Sequence, residues 1–381
     1  MGQRYRMEIE DTQGQPPPSV LLVIDSLRGG GAERQISQMA NYWAAKSWKV
    51  TLASWSSCDV PDFYKLDPGI IREYLDIWSF TRKRHHAAFA AGRSILRLSR
   101  LIRRAKPDAV LSFSEASNVL TVVACALTRT HCVVSNRQSP EFVISMKRRW
   151  RIPVAIAYRN AGSVVVQTKA AAGWMKGHFG LCCQVIPNAL REVAAPTAPR
   201  RKIILSVGRL DEHKGHDILI RAFAKIRETR DWRLVIIGDG AMKQKLVALC
   251  NALNVRKFVD FPGPSHAVER WMESAGIFVL PSRFEGFPNV LIEAMAMGAP
   301  VISTDCPHGP SEIITDKLDG RLVAVGDVEQ LATAIAELID SPARREKLGL
   351  QAQTVRMRYR QEPIMALWEK LMFKASGESA S

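Results

Sequence analysis

Two glutamates, Glu285 and Glu293, bracket a stretch that reads as the opening of a helix, Gly286-Phe287-Pro288-Asn289-Val290. A carboxylate in the loop before a helix can accept hydrogen bonds from hydroxyl groups. The unpaired N–H groups of the first turn can hold a phosphate. Pro288 suits the first helical position, and Gly298-Ala299-Pro300 supplies a stop. Read singly, Glu285 could equally be a local turn contact and Glu293 a helix-surface carboxylate.

Three further segments follow apolar runs and precede amphipathic ones. Val207-Gly208-Arg209-Leu210-Asp211-Glu212-His213-Lys214-Gly215 places a guanidinium and an ammonium in one loop. Together they would suit a diphosphate, since arginine can grip two oxygens and lysine adds a compact charge. An isolated pair of this kind is more often two solvated loop cations. Leu27-Arg28-Gly29-Gly30-Gly31-Ala32-Glu33-Arg34 offers glycines that let a ligand come close, or simply a tight turn. The dinucleotide pattern GxGxxG is not matched. Ser303 to Ile314 is small and polar, which suits a cleft wall; Cys306 and His308 read as loop residues without chemistry.

The elements that position these loops alternate β-branched runs with helical patterns, the signature of βα units and parallel sheets. Strands are expected at 20–24, 49–53, 109–113, 132–135 and 163–167, with helices at 33–46 and 93–104 among them. A second series has strands at 203–207, 233–237, 258–261, 277–280 and 301–303, and helices at 217–228, 241–253, 289–297 and 328–339. The organisation expected is a domain over 1–190, an Ala/Pro-rich linker at 191–200 and a second domain over 201–362. A helix at 363–375 would cross back, and 376–381 would be a disordered tail. Two doubly wound α/β domains then face one another across a cleft, where ligands of such sheets bind.

Composition narrows the class. Of 381 residues 47% are apolar, but no run approaches the ~18 needed to cross a membrane. The start lacks the apolar core of a secretory signal. Seven cysteines without a CxxC spacing point to a reducing cytosol, without disulfides or structural zinc. The net charge of +16 is lopsided: 26 Lys+Arg against 13 Asp+Glu in residues 1–190, and 27 against 24 in the rest. Between Arg82 and Lys106 nine basic residues stand without an acid, and Arg93, Arg97, Arg100 and Arg104 share one helical face. Leu96, Leu98, Leu101 and Ile102 supply apolar surface beside them, and Lys147-Arg148-Arg149-Trp150-Arg151 forms a second cluster. An anionic inner leaflet or a nucleic acid would match such charge; no recognition helix or ribonucleoprotein motif supports the latter.

In this order and register the segments resemble glycosyltransferase family 4, the retaining enzymes of the GT-B fold. The carrying residues run from Leu21 to about Trp368: GGGAER, VGRL with KG, GDG at 238–240, FPG at 261–263, and SRFEGFPNVLIEAMAMGAPVIS with its paired glutamates. The string Asp305-Cys306-Pro307-His308-Gly309-Pro310 is similar to a subgroup that builds lipid-linked or capsular glycans.

The resemblance implies that Arg209 and Lys214 neutralise a nucleotide diphosphate and that Glu293 binds ribose hydroxyls. Glu285, with Gly286 and Phe287, would contact the donor sugar. Asn289 and Val290 would meet a phosphate. Gly208 and Gly263 would line the donor, and Gly30 and Gly31 would approach from the other domain. Many relatives have a histidine after the strand at 109–113; here the loop is Ser114-Glu115-Ala116-Ser117-Asn118. Glu115, Asn118 and Arg137 remain candidate acceptor contacts. The implied reaction is front-face transfer of a hexose or N-acetylhexosamine from a UDP-sugar to a glycan hydroxyl, without a metal ion or other cofactor. The acceptor would be polyprenyl-diphosphate-linked, at the cytoplasmic membrane face. A sugar-nucleotide epimerase on the same fold is the competing enzyme reading, and no nucleic-acid partner is expected.

Overall fold

The computed structural model describes residues 16–59, 61–76, 87–137, 151–193, 196, 198–229, 231–265 and 267–373. The first half forms a seven-stranded parallel sheet: β1 (Ser19–Ile24), β2 (Lys49–Ser54), β3 (Ile71–Tyr74), β4 (Ala109–Phe113), β5 (His131–Ser135), β6 (Ser163–Val166) and β7 (Gln184–Val185). Their order is β3-β2-β1-β4-β5-β6-β7. The second half forms a six-stranded parallel sheet from β8 (Arg201–Val207), β9 (Arg233–Ile237), β10 (Val259–Gly263), β11 (Ala275–Leu280), β12 (Val301–Thr304) and β13 (Arg321–Val323). Their order is β10-β9-β8-β11-β12-β13. Each sheet is doubly wound, with its order reversing between β1 and β4 and between β8 and β11. The loops leaving those four strands are where such folds bind ligands.

Central strands are continuous apolar runs because helices cover both faces. β11, Ala-Gly-Ile-Phe-Val-Leu, is buried throughout. Three strands went unforeseen, β3, β7 and β13. All are edge strands of two to four residues and are only partly buried, so they carry no apolar run to read. The helix expected from 289 runs Asn289–Ala296, with Pro288 one position outside it: its φ of −78° is helical, but its ψ of 89° is not.

The stretch at 191–200 carries no strand or helix where it is described. The final helix, Gln361–Met372, returns to the first domain. There Trp368 packs on Phe113 with ring centroids 6.1 Å apart. Trp43 Nε1 donates to Glu369 Oε1 at 3.1 Å, and His131 Nε2 lies 3.1 Å from the Leu371 carbonyl. One apolar core therefore spans both halves, with Leu22 and Trp43 from the first, Leu280 and Met295 from the second, and Trp368 between them. The expected tail at 376–381 lies outside the described residues.

Candidate active site

The second-domain wall is built at the ends of β8 and β11. Gly215, at φ +63°, lets the β8 loop press against the end of β11: a Cβ there would lie 2.0 Å from the Pro281 carbonyl oxygen. Asp211 caps the short 3-10 turn Glu212–Lys214 by accepting from the His213 and Lys214 backbone N–H groups. Lys214 is thereby held over the next loop, with Nζ 2.7 Å from Glu285 Oε1. Ser282 Oγ donates to the same oxygen at 2.6 Å. Glu285 is nearly buried, and both bonds fall on Oε1, which leaves Oε2 for another donor. Glu285 therefore makes both a local turn contact, to Ser282, and a long-range one, to Lys214.

Arg209 behaves differently. Its side chain is 80% exposed and, among the described residues, pairs with Asp211 of its own loop, at 3.2 Å. Gly208 is fixed by its N–H bond to the Ile237 carbonyl at 3.0 Å, and Gly263 accepts from Gly238 N at 3.1 Å, so the two stand at the ends of β8 and β10, either side of β9. Phe287 is buried edge-on against Tyr359, which anchors the Gly286-Phe287 turn. Burial, with Glu285 nearby, pushes the Cys306 thiol up to about 12, so it stays protonated.

Contacts from the first domain close the site. Glu293 is not a surface carboxylate: it is 3% exposed and is held by Arg34, whose Nη1 donates to Oε2 at 3.2 Å. Arg191 approaches the same carboxylate with Nε 3.6 Å from Oε1, and also pairs with Glu269. The Asn289 side chain points to the Gly31 carbonyl at 3.5 Å and accepts from Asn188 Nδ2 at 2.7 Å. Gly30 N-caps the helix Gly31–Ala45, and its carbonyl accepts from the Tyr64 hydroxyl at 3.2 Å. Val290 follows Asn289 in the first turn, where its backbone N–H belongs to the helix start.

Glu33 of the first domain faces Arg209, and it interacts with Asp25, which interacts in turn with Glu115. Burial raises Asp25, and Ser117 donates to it. Burial also raises Glu33, with Asp25 adding to the effect and Arg209 opposing it across the gap. Glu115 is pushed up to about 7, chiefly by burial and further by Asp25. Its Oε1 is buried without a hydrogen-bond partner. Asn118 is fully buried, with Nδ2 given to the Ser135 carbonyl and the Tyr158 hydroxyl at 3.0 and 2.9 Å. It ties helix to sheet. Among the described residues no group of three His, Cys, Asp or Glu side chains is arranged to hold a metal ion.

Residues 29–191 match the family described as Glycosyltransferase Family 4, and residues 192–355 match Glycosyl transferases group 1. The chain belongs to the glycosyltransferases. The transferase is 26% identical over 374 residues to the amylovoran biosynthesis glycosyltransferase AmsD of Erwinia amylovora, covering 93% of this chain and 99% of that protein. It is 28% identical over 273 residues to a Campylobacter jejuni protein, covering 68% of this chain and 74% of that one. That protein is named N-acetylgalactosamine-N,N'-diacetylbacillosaminyl-diphospho-undecaprenol 4-alpha-N-acetylgalactosaminyltransferase. It is 35% identical over 226 residues to a Streptomyces coelicolor exopolysaccharide phosphotransferase, but that match spans 58% of this chain and only 24% of the longer protein. Anabaena HepE in complex with UDP shares the fold, with a TM-score of 0.77 at 17% identity, covering 93% of this chain and all of that one.

The transferase thus has two GT-B lobes, and the cleft gathers Lys214, Glu285, Glu293 and Asn289 on one side. Arg34, Arg191 and Asn188 were missed as site residues. Arg34 stood in plain view within GGGAER, but spacing alone does not show that it reaches a glutamate 259 positions away. Of the apolar residues read as surface on the helix Ala87–Ala105, only Leu96 is exposed; Leu98, Leu101 and Ile102 face the core. Residues 82–84 and 147–150 of the two basic clusters lie outside the described residues.

Proposed function

We propose that the transferase moves a hexosyl or N-acetylhexosaminyl group from a UDP-sugar to a hydroxyl of a polyprenyl-diphosphate-linked glycan, with retention, in cell-surface polysaccharide assembly. The observation that carries this reading is the Lys214–Glu285 pair at 2.7 Å, set beside the N-terminus of the helix Asn289–Ala296 at the second switch point. An ammonium and a helix start at neighbouring strand ends suit a leaving diphosphate. Glu285 Oε2 would take a donor-sugar hydroxyl. The names of the Campylobacter and Erwinia relatives and the UDP held by HepE support the choice of acceptor and nucleotide.

In the reaction so read, the bond from the anomeric carbon to the phosphate oxygen breaks. The bond to the acceptor oxygen forms on the same face, and the acceptor proton passes to the departing phosphate. Charge grows on the diphosphate, and Lys214, Arg209 and the helix N–H groups meet it without a divalent cation. The test is a thermal-shift panel of UDP-, GDP- and ADP-sugars with EDTA present. A UDP-sugar raises Tm in the wild type; no shift with any nucleotide overturns the reading.

The acceptor reading extends to the membrane. No helix among the described residues is long and apolar enough to cross a bilayer. Three neighbouring first-domain helices instead expose Leu96, Val123, Leu127, Ile152 and Ile156, the last at 56% and Ile152 at 71%. Arg100 and Arg103 are exposed on the first of these helices. Apolar side chains among basic ones fit an anionic leaflet, at about 1 kcal/mol per basic residue. The protein is expected to float with anionic liposomes at low salt and to be released at high salt. Absence of binding at low salt ends this part of the proposal.

A further inference from the structure

Arg137 follows β5 and is buried to 8% exposure, yet no carboxylate among the described residues pairs with it. Its guanidinium lies between two rings, 3.9 Å from the Phe113 centroid and 5.3 Å from that of Trp368. Only Nη1 is hydrogen-bonded, donating to Asn188 Oδ1 at 2.7 Å. Nε and Nη2 are buried and meet no acceptor. These two N–H groups share one edge of the guanidinium, the edge that fits two oxygens of a carboxylate or phosphate side by side.

The same chain shows what that edge ordinarily does. Arg72 uses Nε and Nη2 to hold both oxygens of Asp62, at 2.8 and 3.0 Å. Arg233 uses them on Asp260. Among the described residues Arg137 meets no acceptor with the same edge. Burying a cation without a counter-ion costs several kcal/mol, and burial lowers the Arg137 pKa to about 9. Trp368 Nε1, beside it in the stack, is a further buried donor without an acceptor. Three buried donors that meet no acceptor among the described residues make a site complementary to an oxyanion.

Its place ties it to the cleft. Asn188 bridges Arg137 to Asn289 at the start of the helix Asn289–Ala296, and Asn289 also points to the Gly31 carbonyl at 3.5 Å. We propose that Arg137 is an oxyanion-binding residue that grips a phosphate of a substrate through its Nε–Nη2 edge. Asn188 and Asn289 link that grip to the helix start on the opposite lobe. The inference rests on the transferase reading above and adds to it a first-domain cation for either the donor diphosphate or the diphosphate of the acceptor's lipid carrier.

The test is calorimetric binding of UDP, farnesyl diphosphate and inorganic pyrophosphate to the wild type, Arg137→Gln and Arg137→Lys. A loss of about tenfold or more in Arg137→Gln, with unligated Tm unchanged or raised, supports the proposal. Loss for UDP identifies the donor phosphate; loss for farnesyl diphosphate identifies the acceptor's. If Arg137→Gln does not fold, Arg137→Lys decides, because it keeps a cation but not the two-donor edge. A similar loss there supports the proposal, and wild-type affinity overturns it. Equal binding of all three probes by the wild type and Arg137→Gln overturns it while leaving the donor reading intact. Arg137-dependent binding of pyrophosphate without any binding of UDP sinks the UDP-donor reading and keeps this one. A wild type that binds none of the probes sinks both.

Discussion

Lys214→Ala is expected to lower kcat about 100- to 1000-fold with little change in the folded structure. The lysine is the preorganised cation at the end of β8, and removing one such donor from a developing oxyanion ordinarily costs that much. The effect should fall on kcat more than on KM, because charge on the leaving diphosphate is largest in the transition state. Glu285 keeps its Ser282 bond at 2.6 Å, so the loop stays in place. Initial rates with a UDP-sugar and a glycan acceptor, together with circular dichroism, read the result. A kcat within threefold of wild type would remove Lys214 from the chemistry. Arg209, 80% exposed and paired with Asp211 of its own loop, should show a smaller loss unless the bound donor draws it in.

The largest effect on stability is expected at Trp368. Its indole is fully buried, packs on Phe113 and Arg137, and is the point where the final helix clamps the first domain within a core shared by both lobes. Trp368→Ala should cost about 3–5 kcal/mol, the range for deleting a large buried aromatic. Urea unfolding followed by fluorescence and by circular dichroism measures it. A loss below about 1 kcal/mol would mean that the C-terminal helix is not a structural clamp. Because the indole also forms one wall of the Arg137 stack, the variant should weaken phosphate binding as well.

Much of this architecture is legible in the sequence, for physical reasons that differ by element. Buried central strands such as β1 and β11 show as unbroken apolar runs, and the helix at 289 announces itself through Pro288 and its apolar face. Edge strands β3, β7 and β13 are short and half-wet and leave no pattern. Local spacing marked the lysine and the two glutamates as candidates, and the resemblance to family 4 supplied the roles expected of them. What spacing hides is long-range pairing. Arg34 on Glu293, Asn188 on Asn289 and the missing counter-ion of Arg137 all arise where one lobe meets the other. The expected lipid-facing leucines failed for a related reason. A stripe of arginines marks the wet side of a helix, and Leu98 and Leu101 lie on the opposite side, against the sheet.

The most direct test of the central claim is a crystal structure of the transferase with a bound UDP-sugar. The diphosphate should lie within hydrogen-bond reach of Lys214 Nζ and of the backbone N–H groups at Asn289 and Val290, with Glu285 on the sugar and Glu293 on the ribose. A nucleotide seated elsewhere, with Lys214, Glu285 and Glu293 untouched, would contradict the account.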